Sequence, residues 1–296
     1  MKTQAAQKAS FPDPQLGACL DRLCAGFDFE GRIVADPIRF PRSYSRKKDV
    51  EVAGLIASCL AYGRVDLFTS VVGRVLAAMG SSPADFLLEF RLQRDRRLFH
   101  GIQYRFNRNE DILALLLTLH RALRKHGSLE ALFAAQDDAS LPDTAKAIDG
   151  FVRELLSADL SPVYGCNDKP RGLLQLFPLP SSGSACKRFN LFLRWMVRDM
   201  PPDLGIWKKV SKSRLVIPLD LHIMRVSRCL GFTKRASQDW KAALEITASL
   251  KRFDPEDPLK YDFALCHRGM TGGCGGAAKK SICRGCGFAH FAQQQD

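Results

Sequence analysis

Leu215-Val216-Ile217-Pro218-Leu219-Asp220-Leu221-His222-Ile223-Met224-Arg225-Val226 is an apolar extended run that turns into a helix at a single carboxylate. Pro218 stands just ahead of the turn. Asp220 occupies the position of a helix N-cap, where its oxygens can take the first free amides. That structural role is enough to explain the residue, and it does not exclude chemistry. A carboxylate held at a helix N-terminus stays ionised and can stabilise a developing cation.

Upstream, Leu179-Pro180-Ser181-Ser182-Gly183-Ser184-Ala185-Cys186-Lys187-Arg188 reads as a tight turn feeding another helix. Pro180 and Gly183 set the turn, and Ser182 or Ser184 can cap the helix. Backbone amides at such a place form a natural phosphate cradle. Along the helix, Lys187, Arg194 and Arg198 share one face, while Phe189, Phe192, Leu193 and Met196 cover much of the other side. Two readings stand side by side. The cations form a solvated face on a core helix, or one of them is chemical and the others hold phosphates. A lysine crowded by cations and apolar walls loses its proton more readily and becomes a nucleophile.

Farther out, the periodicity is helical almost throughout. It predicts helices over 14–27, 50–62, 66–79, 83–90, 110–126, 128–135, 143–157, 185–199, 221–230, 237–253 and 258–269. Residues 31–44 read as an irregular connector, and 162–182 as a loop with one short turn near Leu173. The stretch 91–109 is basic and aromatic, with a turn-like segment over Gly101 to Phe106. Alternating strand patterns are scarce, so the predicted fold class is all-α. Apolar residues make up 46% of the 296 and charged residues 25%, which excludes a disordered chain. No apolar run reaches the length of a membrane span, and Met1 to Pro14 carries no apolar signal segment. A cytoplasmic protein is expected.

The 44 Lys and Arg against 31 Asp and Glu leave a formal charge of +13. Between Gly183 and Arg235 there are twelve Lys or Arg and three Asp, a local excess of +9. A concentrated patch of this kind favours a polyanionic partner, nucleic acid ahead of anionic lipid, over a generally basic solvated surface. The ten cysteines divide in two. Six are scattered, mostly among apolar neighbours, and read as reduced core thiols. Cys266, Cys274, Cys283 and Cys286 crowd together near the C-terminal end and read as a ligand cluster. Four thiolates suit an iron–sulfur cluster or zinc, and three with His267 or His290 suit zinc better.

Pro218 to Val226 resembles the signature of the helix-hairpin-helix DNA glycosylase superfamily, in which an aspartate is catalytic; Asp220 matches it. Leu179-Pro180-x-x-Gly183 resembles that superfamily's hairpin, with Ser181 and Ser182 departing from the usual glycine and valine. In the endonuclease III type, a lysine that forms a Schiff base lies at the position of Ala185, which cannot do that work. Lys187 is placed instead as in the archaeal 8-oxoguanine glycosylase type, with a longer insertion before the aspartate. The chain from about Asp36 to Gly269 also resembles a bacterial family of unassigned activity, domain of unknown function 2400. The segments that carry this likeness include Cys59 to Val65, Gly101 to Phe106, Ser184 to Arg198 and Tyr261 to Leu265.

The superfamily resemblance implies two helical lobes with a cleft between them. One lobe would comprise residues 50–214, and the other 1–49 with 215–296 and the cysteine cluster. It implies a base-excision DNA glycosylase, bifunctional with abasic-site lyase activity, acting on a damaged base in double-stranded DNA. An oxidised purine is one candidate base, and a monomer is expected. Lys187 and Asp220 would be catalytic. Ser182, Gly183, Ser184, Arg188, Arg194 and Arg198 would hold DNA, and Tyr62 and Arg64 would lie where relatives fill the gap in the duplex. A [4Fe–4S] cluster is implied on Cys266, Cys274, Cys283 and Cys286, because Ala292 stands where the fourth cysteine of the usual set would fall. Zinc is the alternative, and the glycosylase chemistry requires neither. The competing reading is a non-catalytic nucleic-acid-binding protein stabilised by the same metal or cluster.

Overall fold

The structure, a computed structural model, describes residues 13–270 and 287–292. Nine of its helices have nine residues or more: α1 (Pro14–Ala25), α2 (Lys47–Leu60), α3 (Val65–Met79), α4 (Asn109–His126), α5 (Ala145–Leu156), α6 (Lys187–Val197), α7 (Leu221–Cys229), α8 (Trp240–Lys251) and α9 (Asp262–Met270). The protein is all-α. The described residues hold no strand, and their only β contacts are isolated bridges between Tyr104 and Asn107 and between Ser184 and Asp239.

The helices begin and end where local chemistry dictates. Asp13, Asp220 and Asp239 each accept first-turn amides of α1, α7 and α8. The longest helix, α4, stops at Gly127, which takes the left-handed conformation and returns its amide to Leu123. The expected serine caps on α6 do not occur. The helix starts at Lys187, its N-cap is Cys186 at φ +47°, and Ser184 Oγ accepts only the Cys186 amide at 3.2 Å.

The connectors contain more helix than their composition suggests. Residues 31–44 overlap the short helices Phe29–Ile33 and Arg39–Arg42, and residues 91–109 include Leu92–Asp95 and Arg96–Phe99. Residues 162–182 include Arg171–Leu176 and overlap Ser161–Tyr164. Helices of four to six residues are too short to show a period, and they are held by packing rather than propensity.

Helix α2 runs through the core. It packs on α3 and α6, and a Cβ on Gly54 would lie 2.9 Å from the Met196 side chain, so this glycine sets how closely α2 and α6 approach. Its buried Glu51 accepts the Leu129 amide and the Trp207 indole N–H, both at 2.9 Å. α4 packs on α5, and α7 on α9. At the other end, α1 reaches the later part of the chain, where Lys260 Nζ donates to Asp21 at 2.7 Å.

Arg194 and Arg198 correct the reading of α6 as a basic face for DNA. They are only 3% and 4% exposed. Arg194 pairs with Asp203 at 3.1 Å and with Asp262; Arg198 pairs with Asp203 at 3.0 Å and with Asp257 at 2.8 Å. The two arginines therefore join α6 to the loop after it and to the segment around α9. A guanidinium closed in by carboxylates and apolar walls cannot reach a phosphate, and removing one member would leave a buried charge underpaired. Arg214 is likewise buried against Asp137 at 2.7 Å.

Candidate active site

The N-termini of α6 and α7 converge. Asp220 Oδ1 accepts the His222 and Ile223 amides at 2.9 Å each, which fixes the carboxylate and leaves Oδ2 facing α6. Lys187, the first residue of α6, brings Nζ to 3.2 Å from that Oδ2. The lysine side chain is 37% exposed and the aspartate 16%, so the amine remains reachable while the carboxylate is mostly enclosed. Burial pushes the Asp220 carboxyl up, but the Lys187 ammonium, the Ile223 amide and the nearby His222 outweigh it and hold the group below the ordinary carboxylate range.

The pair lies in the wall of a cavity of about 470 Å³. Other walls come from Asp36 and Pro37, from Tyr62 and Gly63 after α2, from Leu191 and Arg194 of α6, and from Phe263, Cys266 and His267 of α9. The volume falls in the range of small-ligand sites. Two further carboxyls line it. Burial raises Asp262 to about 6 against the opposing pull of Arg194, and its Oδ1 is buried without a hydrogen-bond partner. Burial also raises Asp36, whose carboxylate accepts the Ile38 amide at 2.9 Å. His222 Nδ1 is a second buried atom of the lining without a partner.

Two of the amides expected to cradle a phosphate are engaged. The Ser182 and Gly183 amides close a short 3₁₀ turn on the Leu179 and Pro180 carbonyls at 3.2 and 2.8 Å, so neither is free for an anion. Ser184 bridges to Asp239, and the Trp240 amide donates to Gly183 O at 3.1 Å. Arg188 does not reach toward a phosphate either. Its guanidinium donates to the carbonyls of Cys59, at 2.9 Å, and Gln175, and lies over the Tyr62 ring.

Tyr62 lines the cavity but is held in place. Its hydroxyl donates to Asn107 Oδ1 at 2.6 Å, and the Tyr104 hydroxyl donates to Tyr62 O. It forms a wall rather than a mobile plug. Arg64 is exposed and pairs with Asp66 at 2.6 Å.

Of the four cysteines expected to bind metal, Cys274, Cys283 and Cys286 lie outside the described residues. Cys266 lies in the cavity wall. Its thiol faces Asp220 Oδ2 at 3.6 Å, and burial and the Asp220 and Asp262 carboxylates keep it protonated by raising it well above the ordinary thiol range. No group of three metal-type side chains occurs among the described residues.

Sequence reading missed Asp36, Asp262 and the placement of Cys266. Asp262 and Cys266 are four apart on one helix, a spacing that puts both on one face. Asp36 sits in a loop and carries no linear signal. None of the helices among the described residues is long and apolar enough to cross a membrane.

The family model described as "Protein of unknown function (DUF2400)" matches residues 36–271. No curated protein and no solved structure gives a significant match.

Proposed function

We propose that this chain, which belongs to the DUF2400 family, is a base-excision DNA glycosylase with abasic-site lyase activity, built on a helix-hairpin-helix glycosylase fold. The observation that carries the reading is the Lys187 amine 3.2 Å from the Asp220 carboxylate in the wall of a base-sized cavity. An amine nucleophile and an ionised carboxylate are the two groups this chemistry needs at one carbon. The likeness of Pro218 to Val226 and of Leu179 to Gly183 to the superfamily's motifs supports the same reading.

The damaged nucleotide leaves the base stack, because the bond to the sugar C1′ is otherwise out of reach. Asp220 stabilises positive charge as the C1′–base bond breaks. Lys187 passes its extra proton to the departing base, which carries away the C1′–base bonding pair, and the neutral amine so formed adds to C1′. Ring opening then gives a Schiff base between Nζ and C1′, the state from which a lyase cleaves the strand. The unpartnered Asp262 and His222 atoms in the cavity wall are suited to read a base edge. No step uses a metal or an iron–sulfur cluster. Double-stranded DNA is the proposed partner.

A non-catalytic nucleic-acid-binding protein is the second reading, and the same ion pair favours it if the pair is static and serves only to join α6 to α7. Borohydride separates the two. It reduces a Schiff base to a stable amine, so only the enzyme is captured covalently on damaged duplex DNA.

A further inference from the structure

We infer that a second cleft, formed where the turn Tyr104–Asn107 meets the start of α4 and the short helix Arg171–Leu176, binds a free ribonucleoside phosphate whose base carries an amino group. The cleft shares no lining residue with the Lys187–Asp220 cavity, so the inference stands apart from the DNA reading.

The cleft holds about 650 Å³, more than the first cavity and within the range of small-ligand sites. Its frame is set before any ligand arrives. Asp111 is 3% exposed, and both of its oxygens are taken. Oδ2 accepts the Arg108 amide and Oδ1 the Tyr164 hydroxyl, each at 2.8 Å. A Cβ on Gly172 would lie 2.2 Å from the same Oδ2 and 2.8 Å from Phe106 O, so only glycine lets the short helix close on the turn. Asn107 is buried and ties the two together, donating Nδ2 to Gly172 O at 2.6 Å.

The side chains that this frame leaves unengaged differ in chemistry. Arg108 and Arg171 are exposed, and neither is in an ion pair among the described residues. Two guanidiniums in one cleft match the oxygens of a phosphate. Phe106 is 64% exposed and offers a ring face on which a flat base can stack. Gln175 Oε1 is buried without a hydrogen-bond partner. An amino group on the base supplies the N–H that this acceptor lacks. Glu110 is half-buried in the same lining and is in no ion pair among the described residues. Its carboxylate can accept from the hydroxyls of a ribose. Phosphate, flat ring, amino group and sugar diol each meet a complementary group, and a ribonucleotide of adenine, guanine or cytosine carries all of them. Phe106 and Arg108 come from the basic and aromatic stretch 91–109, which the Lys187–Asp220 site does not use.

The test titrates the full chain by calorimetry with ADP, beside UDP, 2′-deoxy-ADP, adenosine and inorganic phosphate. ADP should bind, and each of the others should bind about tenfold or more weakly. Arg108→Gln and Arg171→Gln should each weaken ADP about tenfold and leave adenosine unchanged. Phe106→Ala should weaken ADP about tenfold, and Phe106→Trp should restore it. Glu110→Gln should remove the discrimination between ADP and 2′-deoxy-ADP. Arg97→Gln, which removes an exposed arginine outside the cleft, should change nothing. ADP binding that survives both arginine substitutions overturns the inference, and so does inorganic phosphate binding as tightly as ADP. A wild-type chain that binds no ADP also overturns it, and a loss of duplex affinity in the same arginine variants would then assign the cleft to DNA. None of these outcomes bears on borohydride trapping, so the DNA reading stands or falls separately.

Discussion

Lys187 Nζ lies 3.2 Å from Asp220 Oδ2, and Cys266 Sγ approaches the same oxygen at 3.6 Å. The other carboxylate oxygen is held by two amides at the start of α7. Every lone-pair direction of Asp220 therefore has a defined partner, and the aspartate is both a helix cap and the anion of the site.

Asp220→Asn keeps the cap, because asparagine accepts first-turn amides about as well, but it removes the charge. The expected result is folding stability within about 1 kcal/mol of wild type and a loss of borohydride trapping of about 100-fold. The wild-type carboxyl is held below its ordinary range, so it stays ionised at neutral and mildly acidic pH, and its contribution is lost only as pH falls through that lowered value. Trapping that rises and falls with Asp220 protonation near pH 6 would contradict the assignment. Thermal unfolding and trapping across pH read both parts.

Arg198→Met tests the correction made to the basic helix face. It leaves the buried Asp257 without its arginine and Asp203 with Arg194 alone, which should destabilise the fold by about 3–5 kcal/mol. Denaturant unfolding measures that loss. DNA affinity of the folded fraction should not change. Weaker affinity with unchanged stability would restore Arg198 to the DNA surface.

How much of the site was legible follows from which contacts are local. Asp220 as a cap was readable, because the apolar run, the proline and the following helix all lie within twelve residues. The all-α class was readable from periodicity. The charge patch is smaller in the fold than in the sequence, because its buried cations are neutralised by acids outside the segment. Arg194, Arg198 and Arg214 take carboxylates from Asp262, Asp257 and Asp137, which lie outside it. The engagement of the Ser182 and Gly183 amides is hidden for a similar reason. A Pro-x-x-Gly turn in sequence does not reveal that its amides close on Leu179 and Pro180. The short helices at 92–95 and 161–164 were missed because one turn carries no period.

Salt should weaken duplex binding, but less than twelve clustered cations suggest. Three of the twelve are buried in ion pairs, Lys212 pairs with Asp199 at 2.8 Å, and Arg235 with Asp239 at 2.8 Å. Lys208, Lys209, Arg228 and Lys234 remain exposed. Each phosphate contact contributes a slope of about 0.9 to log K against log salt, so a slope equivalent to a few contacts is expected. A flat plot between low and physiological salt would count against nucleic acid.

Cys266→Ser should leave unchanged the iron or zinc content of protein purified without oxygen, because the thiol is turned toward Asp220. Metal analysis of that variant beside Cys283→Ser provides the comparison. Loss of metal in Cys266→Ser would place this cysteine in the ligand set despite its position in the cavity wall.

Whether the Lys187 amine reacts with a sugar carbon is read by borohydride trapping on a panel of damaged-base duplexes. The account predicts a covalent protein–DNA complex with at least one lesion for the wild-type chain. It predicts none for Lys187→Gln, whose duplex affinity falls less than about tenfold, since one cation among several contributes modestly to binding. Trapping that survives in Lys187→Gln, or a wild-type chain that is trapped on no lesion, would contradict it.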